Sequence, residues 1–415
     1  MRSFFSIILI LLSYFSVAAQ TLITIRESII RSKANNPYLR TQRLETDVAR
    51  TDITTAQTRL NPDFQAQVYL QPSPSNWVEN TGLLHPQNTQ TWYQIGMPIR
   101  LKPIRSLTTD LANKSLTYTE KNIQELERNL VFEVSNLWLD NWALKMNINI
   151  LQKAKLNIDT LIQINENRLK NQVITVSELI RTQVLSDQYA LQLRSMDQDF
   201  INQTRQLSFI TGSLDSISID ATDEFIFSKP LAPLDSLQQI ALKNRTDLLA
   251  AQSSTLVAKS NIDLQKALAY PNLYGAAFIN PQNAVPYVGF IASIQIPIFD
   301  RNQGGIERSK AIKKQTESSV TALQISIQTE LKNAYTAYII RRDNLQRFQH
   351  IMNQSEIVLN TVKYKYLKGN TTIIDFLEAQ RTALETKKMY FDEVLTFRKS
   401  YLLVLYTSGL INDIN

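Results

Sequence analysis

Residues 116–158 read LTYTEKNIQELERNLVFEVSNLWLDNWALKMNINILQKAKLNI and carry the strongest structural signal in the chain. An apolar residue recurs at every seventh position without a break: Leu116, Ile123, Leu130, Leu137, Leu144, Leu151 and Ile158. Sustained heptads are typical of left-handed supercoiled helices that pack along their length. Such a helix rises about 60 Å over this stretch, at 1.5 Å per residue, which is more than a compact domain needs.

The helical signal lies within two long tracts that contain no proline, residues 104–229 and 298–415. Because proline inside a helix costs about 3 kcal/mol, both tracts permit very long helices. The second tract has its own heptad series: Leu331, Tyr338, Leu345, Met352, Leu359 and Tyr366. In a coiled coil a second position of each heptad also faces the partner helix. In the first tract this second position holds both polar and apolar residues, with Glu127, Asn141 and Lys155 among them. That mixture favours a hollow or sheet-like helical assembly over a rod with a dry core.

The two tracts belong to an internal repeat, since the halves of the chain align in order at offsets near 200 residues. The matched segments are 33–39 with 242–248, 60–64 with 269–273, 95–99 with 294–298, 133–138 with 330–335, and 169–171 with 367–369. Each repeat predicts a helix, a strand, a loop, a second strand, a long helix, a turn and a return helix. The predicted domains are a first repeat at 20–212, a linker or equatorial segment at 213–235, and a second repeat at 236–415.

Four strands are predicted, at about 62–72, 90–100, 271–280 and 287–297. In the first strand the apolar residues at 64, 66, 68 and 70 alternate with Gln65, Gln67, Tyr69 and Gln71, a period of two. Two-faced strands of about ten residues suit a transmembrane barrel, and a hairpin on a soluble domain is the alternative. Because a closed barrel needs about eight strands, several chains would have to share one. The predicted fold is then an α+β membrane protein in which a shared barrel continues into a helical conduit, that is, a channel.

Composition excludes several other classes of protein. The 415 residues include no cysteine and only two histidines, His85 and His350, so disulfides, thiolate metal sites and histidine cages are excluded. The formal net charge is +7, but no basic run exceeds two residues, so binding to nucleic acid is unsupported. No nucleophile elbow and no phosphate-binding glycine loop occurs. We therefore expect no enzymatic activity, no cofactor and no metal site.

The N-terminus predicts export from the cytoplasm. Arg2 precedes a short apolar run, 4–15, which is followed by Val17, Ala18 and Ala19. A basic start, a short apolar segment and small residues before a cleavage point are typical of a secretory signal, here 1–19. A buried N-terminal helix is the alternative. After residue 20 no stretch of about 18 apolar residues follows, so a transmembrane helix is not predicted.

Three motifs resemble those of the TolC family of outer-membrane efflux proteins. They are the strand-entry motifs 60–62 and 270–273, the strand-exit motif 296–305 (IPIFDRNQGG), and the helix-turn segment 366–377 (YLKGNTTIIDFL). The resemblance implies a homotrimer whose 12-stranded barrel, four strands per chain, crosses the outer membrane of a Gram-negative bacterium. It also implies a helical tunnel in the periplasm, contact with outer-membrane lipid, a periplasmic adaptor protein and an inner-membrane pump. The FDRNQG form at 299–304 resembles the branch for heavy-metal and cation efflux.

The resemblance also implies site residues at the periplasmic end of the tunnel. Asp375 and Glu378 would form the acidic pore constriction, with a solvated helix face as the alternative. The tips that contact the adaptor would be Arg168, Leu169, Lys170, Tyr366, Leu367, Lys368 and Gly369, with plain helix turns as the alternative. Tyr366 matches a closing latch of the family, but the latch arginine is replaced by Thr371 and the latch aspartate by Ser177, so a latch of that type is not expected.

The predicted function is the outer-membrane channel of a tripartite efflux system that passively exports heavy-metal cations or drugs. An exit duct for type I protein secretion is the alternative, and an exported coiled-coil scaffold without a pore is a further one. Residues 73–89 and 281–286 lie between paired strands and carry turn residues, so we expect them to be extracellular loops.

Overall fold

A computed structural model describes residues 21–213, 217–222, 230–282 and 285–413. The predicted signal segment, 1–19, lies outside the described residues, as does much of the predicted linker. The chain divides into two compact units: unit 1 contains 1–43, 123–248 and 323–415, and unit 2 contains 44–122 and 249–322. Each unit therefore draws on both repeats of the sequence.

The two proline-free tracts form two long helices, each followed by a return helix. They are α3 (Ile104–Lys170, 67 residues), α4 (Val176–Ile210), α7 (Gln303–Leu367, 65 residues) and α8 (Ile373–Ser408). The turns between them reverse at a residue with positive φ, Gln172 in the first repeat and Gly369 in the second. Each return helix begins with a capping box, in which a threonine side chain and an acidic side chain three residues later each bind the other's backbone N–H. The predicted pairs of long and return helices are confirmed.

The first helix of each repeat is broken in two, where the sequence predicts one. In the first repeat α1 (Ile25–Asn35) and α2 (Pro37–Gln57) meet at Asn36, whose helical conformation is disfavoured by the following proline. In the second repeat α5 (Leu234–Asn244) and α6 (Thr246–Leu268) meet at Arg245, which has a similar extended backbone without a proline after it.

Unit 1 also contains a small parallel sheet that the sequence does not predict. It pairs β1 (Thr21–Ile23) with β4 (Ile217–Ile219). Two buried tryptophans of α3 hold this region: Trp138 donates its indole N–H to the carbonyl oxygen of Ile23 (3.1 Å) and Trp142 to that of Ala221 (3.1 Å). The core of unit 1 packs around these rings.

Unit 2 contains one antiparallel sheet of four strands in the order β2-β3-β5-β6. The strands are β2 (Asp63–Leu70), β3 (Thr89–Arg100), β5 (Asn272–Gln282) and β6 (Val285–Ile294). The prediction of a loop over 281–286 is wrong in its bounds, because Pro281 pairs with Pro286 and Gln282 with Val285 as parts of β5 and β6. The last strand ends at Ile294 rather than at about 297, ahead of Pro297, which has no N–H to donate to a sheet.

Candidate functional site

The sheet of unit 2 has two chemically different faces, because the register of all four strands keeps alternate residues together. One side, here called the apolar face, carries no charged residue. Its members are Phe64, Ala66, Val68, Leu70, Thr89, Thr91, Tyr93, Ile95, Met97, Ile99, Leu273, Gly275, Ala277, Ile279, Val288, Phe290, Ala292 and Ile294. Its large side chains are exposed, Phe290 to 91% and Val288 to 80%. The alternation predicted from the sequence is confirmed.

The other side, here called the polar face, is built from amides and aromatic rings. It carries Asp63, Gln65, Gln67, Tyr69, Gln90, Trp92, Gln94, Gly96, Pro98, Arg100, Asn272, Tyr274, Ala276, Phe278, Asn280, Tyr287, Gly289, Ile291 and Ser293. Gln94 donates to Gln65 (2.9 Å), and the rings of Trp92 and Phe278 stack with centroids 4.1 Å apart. A side chain at Gly289 would overlap the Phe278 ring, so glycine there lets the ring lie close to the sheet.

Only two residues in the four strands are charged, Asp63 and Arg100, and both lie on the polar face. The Asp63 carboxylate accepts hydrogen bonds from the Tyr274 hydroxyl (2.7 Å) and the Gln65 amide (3.0 Å). The Arg100 side chain is exposed, and within the described ranges of the chain it forms no ion pair. Sequence reasoning missed Arg100, although its even spacing from Gln94 would have placed it on this face.

The loop between β2 and β3 is ordered by one buried side chain. Asn88 donates to the Thr81 hydroxyl (2.9 Å) and to the carbonyl oxygen of Gly82 (2.9 Å), and it accepts from the backbone N–H of Val78 (3.0 Å). The indole of Trp77 donates to the carbonyl oxygen of Gln71 (2.8 Å). The structure thus gives residues 71–88 a defined conformation, and the extracellular location expected for the loop at 73–89, whose last residue begins β3, stays a prediction.

In unit 1 the two hairpin turns contact each other through Arg168 and Tyr366. Arg168 donates to the carbonyl oxygen of Leu367 (2.8 Å), and its guanidinium group lies 5.1 Å from the centroid of the Tyr366 ring. The Tyr366 hydroxyl donates to Asn165 (2.9 Å) and its ring stacks on Phe376.

Tyr366 is therefore an internal residue of the hairpin pair, only 3% exposed, and not part of the surface that the resemblance implied for it. Lys170, Leu367, Lys368 and Gly369 are exposed, and Leu169 is half-buried. The exposed part of the predicted tip thus carries two lysines, while Arg168 and Tyr366 hold the turns in place.

The two predicted constriction carboxylates lie on the exposed first turns of α8, and each already has partners within the chain. Asp375 accepts hydrogen bonds from the hydroxyls of Thr371 and Thr372 (both 2.7 Å) and from the backbone N–H of Thr372 (3.1 Å). These hydrogen bonds lower the pKa of Asp375 below its usual value. Glu378 forms an ion pair with Arg381 (3.0 Å).

The residues at the family's latch positions serve the helix caps instead. Thr371 binds Asp375, and Ser177 lies within hydrogen-bond distance of Thr175 (3.0 Å), the capping residue of α4. Glu178 occupies in the first repeat the capping position that Asp375 occupies in the second.

A network of charges around two buried arginines joins α3, α6 and α7 of unit 1 at the break between α5 and α6, and it was not predicted. Arg245 donates to Asp247 (2.6 and 3.1 Å) and to Glu330 (2.7 Å). Arg128 donates to both carboxylate oxygens of Glu125 (2.8 Å each), and its guanidinium group also approaches Asp247 (3.5 Å). The side chains of the two arginines are only 2% and 4% exposed.

The attraction between the arginines and the carboxylates of this network offsets the free-energy cost of burying their charges. Burial raises the pKa of Asp247, but hydrogen bonds and charge from Arg245 outweigh burial, and the net pKa lies below the usual value. Glu330 behaves likewise: burial opposes its charged form, and Arg245 brings the pKa below the usual value. In the sequence, the one indication of this network is that Arg245 aligns with Asn36, so that a charged residue in the second repeat replaces a neutral one in the first.

Comparison with known proteins gives a family match in the second repeat. Residues 237–392 match the family model described as "Outer membrane efflux protein". The cobalt-zinc-cadmium resistance protein CzcC of Cupriavidus metallidurans is 24% identical over 193 residues, which cover 46% of this chain and 43% of CzcC. The match thus spans less than half the length of that relative.

Solved structures match over nearly the whole chain. The outer membrane protein VceC of Vibrio cholerae is 14% identical, with 93% of this chain and 96% of that chain covered and a TM-score of 0.73. The CmeC outer membrane channel of Campylobacter jejuni is also 14% identical, with 93% and 85% covered and a TM-score of 0.75. CusC, described in terms of transmembrane channel formation, is 16% identical, with 94% and 93% covered and a TM-score of 0.74. The predicted fold class is confirmed.

None of the helices in the described ranges combines the length and apolar character needed to cross a membrane. In the same ranges no three histidine or acidic side chains come together as a metal site would require.

Proposed function

We propose that this chain, whose second repeat matches the outer membrane efflux protein family and whose fold matches solved outer-membrane channels, forms the exit channel of a tripartite export system. In that system it works with a periplasmic adaptor protein and an inner-membrane pump. The observation that carries the proposal is the four-stranded sheet, whose apolar face holds no charge while its polar face holds amides and rings. Such a sheet suits a wall with lipid on one side and water on the other.

The sheet is incomplete in a single chain. Its outer strands, β2 and β6, each have a partner on one side only among the described residues. Open strand edges in lipid leave backbone N–H and C=O groups without hydrogen bonds, and four strands are too few to close a barrel. Three chains would pair β2 of one with β6 of the next and close twelve strands, so we propose a homotrimer.

The hairpin turns of unit 1 are proposed as the contact with the adaptor. Their exposed residues include Lys170, Leu367 and Lys368, which offer two positive charges and an apolar side chain. Arg168 and Tyr366 contribute by holding the two turns together. The helices that carry these turns would lie in the periplasm, and the 71–88 loop would lie outside the cell.

Asp375 and Glu378 are proposed as the constriction of the pore. Threefold symmetry would bring six carboxylates around one axis, where rings of acidic side chains attract cations. Because Asp375 also caps α8 and Glu378 pairs with Arg381, the constriction would be held by the same contacts that begin the helix.

The cargo is proposed to be a small solute. The name of the relative CzcC favours metal cations, and the amides and rings of the polar face favour organic solutes. The observations above give no specific support to type I protein secretion. A coiled-coil scaffold without a pore would have no use for the two-faced sheet.

Recording from the purified protein in planar lipid bilayers tests the channel. We expect discrete conductance steps that scale with protein added. A variant with Phe290→Glu, which places a charge on the apolar face, should insert less often because a charged group facing lipid is costly. Insertion that is verified by protease protection but gives no conductance would contradict the proposal.

A further inference from the structure

The charged residues of the sheet suggest which side chain determines the kind of solute that passes through the barrel. We propose that Arg100 sets the charge preference at the barrel end of the conduit, where it favours uncharged and anionic organic solutes and opposes the cation preference proposed for the Asp375 and Glu378 constriction. The inference rests on the proposed trimeric channel, because the polar face must line the pore. It goes beyond that proposal by choosing between the two classes of cargo.

The position of Arg100 follows from strand register. It is the last residue of β3 and pairs with Asn272, which begins β5, so it lies at the end of the sheet where the chain enters and leaves the helices. It shares the polar face with Gln94 and Trp92. In a trimer its three copies would form a ring at one end of the barrel.

The charge of Arg100 is not cancelled by the single acidic residue of the sheet. Asp63 pairs with Gly96, which is four residues from Arg100 along β3, a separation of about 14 Å at 3.4 Å per residue. That distance exceeds the Debye length of about 8 Å at physiological salt, so each ring would act on a passing ion separately. Asp63 is moreover engaged with Tyr274 and Gln65.

A second positive charge reinforces the same end of the sheet. Lys102 follows two residues after Arg100, is exposed, and has its ammonium group 4.1 Å from the centroid of the Tyr270 ring. Among the described residues neither side chain takes part in an ion pair. Rings of arginine or lysine are typical of pores that pass anions, and rings of aspartate or glutamate of pores that pass cations.

The remainder of the polar face suits organic solutes. Four glutamines and the Trp92–Phe278 stack provide hydrogen-bonding groups and aromatic surface without charge. Carboxylates that could replace the water around a metal ion are limited to Asp63. The sheet therefore resembles a passage for ring-containing or anionic molecules more than one for hydrated cations.

Reversal potentials across bilayers with a tenfold KCl gradient test the inference. Arg100→Gln should raise the permeability of potassium relative to chloride by about threefold or more, as expected for three charges close to a narrow path. Arg100→Lys should keep the wild-type ratio. Arg105→Gln, which removes an exposed arginine from the start of α3, is the matched control and should also keep it.

Because the chain has no cysteine, Arg100→Cys provides a second variant that is altered only after folding. A positively charged thiol reagent should restore the wild-type ratio, and a negatively charged reagent should shift it further toward potassium. In the same channels benzoate should permeate less, and Co²⁺ more, after the negative reagent.

The outcomes separate the two levels of the proposal. Absence of conductance in the wild type would contradict the proposed channel. Conductance with the same ion ratio in Arg100→Gln and in both modified forms of Arg100→Cys would overturn the role of Arg100 alone. Failure of both variants to assemble would also overturn it, since Arg100 would then be needed for assembly rather than for selection.

Discussion

In each repeat the first helix breaks at a buried side chain that contacts the end of the return helix, and each such break is called a joint here. Both joints lie in unit 1; the first is made by an amide and the second by a guanidinium group. In the first repeat buried Asn36 donates to the carbonyl oxygen of Ile210, at the end of α4 (3.0 Å). In the second repeat buried Arg245 donates to that of Thr407, near the end of α8 (3.5 Å). Both residues lie where the first helix of the repeat breaks, so the geometry of the joint was kept while its chemistry changed.

The difference shows what each solution requires around it. A buried amide is satisfied by a few neutral hydrogen bonds, here Ile210 and the backbone N–H of Leu39 (2.9 Å). A buried guanidinium group needs compensating charge, which Asp247 and Glu330 provide. The second joint is therefore tied to α7 as well as to α8, and it should be more sensitive to loss of a single side chain.

The largest effect is expected from Arg245→Ala. It would leave the half-buried Asp247 without its closest partner, and loss of one member of a buried ion pair costs up to about 3–5 kcal/mol. Denaturant unfolding in mild detergent, followed by helical circular dichroism, measures the loss. Arg43→Ala, which breaks the more exposed pair with Glu127, is the control and should cost about 1 kcal/mol or less. Equal losses in the two variants would show that the buried Arg245 contributes no more to stability than an exposed ion pair.

The second joint should also be sensitive to acid. The folded pKa of Asp247 lies below its unfolded value, so its stabilising contribution is present above about pH 4 and is lost as pH falls through the folded pKa. We expect the unfolding midpoint of the wild type to fall between pH 5 and pH 3 more steeply than that of Asp247→Asn. Asp235→Asn, on the exposed first turn of α5, should keep the wild-type slope. Parallel slopes for all three proteins would show that Asp247 does not contribute through its charge.

A smaller effect is expected in the first joint. Asn36→Ala leaves the carbonyl of Ile210 and the N–H of Leu39 without their partner, at a cost of about 1–3 kcal/mol. Thr41→Ala, on the exposed side of α2, is the control for a change in the same helix. A loss as large as that of Arg245→Ala would mean that neutral and charged joints are equally sensitive.

The hairpin turns extend the comparison from stability to conduction. Asp375→Asn with Glu378→Gln should lower cation selectivity and weaken block by multivalent cations, because amides keep the hydrogen-bond acceptors and remove the charge. Glu178→Gln changes the corresponding cap of the first repeat and should leave both quantities closer to wild type. If the double variant matches the wild type in single-channel recordings, these carboxylates lie away from the pore.

The sequence predicted the features that depend on local periodicity. Heptads and the absence of proline predicted α3 and α7, and alternation predicted the two faces of the strands. The same heptads place Tyr366 at a core position, and the structure confirms that interior location rather than the surface role implied by the family resemblance.

Long-range contacts could not be predicted. Arg245 meets Glu330 and Thr407, which are 85 and 162 residues away in sequence, and no local pattern marks such pairs. The three-residue strands β1 and β4 are too short to show a period. The break at Arg245 lacks a proline, and the side-chain contacts found there, with Asp247 and Glu330, cannot be read from the local sequence.

The central claim is that one chain provides a third of a closed barrel, and mass measurement in mild detergent tests it most directly. Native mass spectrometry of the purified protein should give particles of three chains that survive dilution, because among the described residues β2 and β6 each pair with a strand on one side only. A stable, folded monomer in the same detergent would contradict the shared barrel and with it the channel.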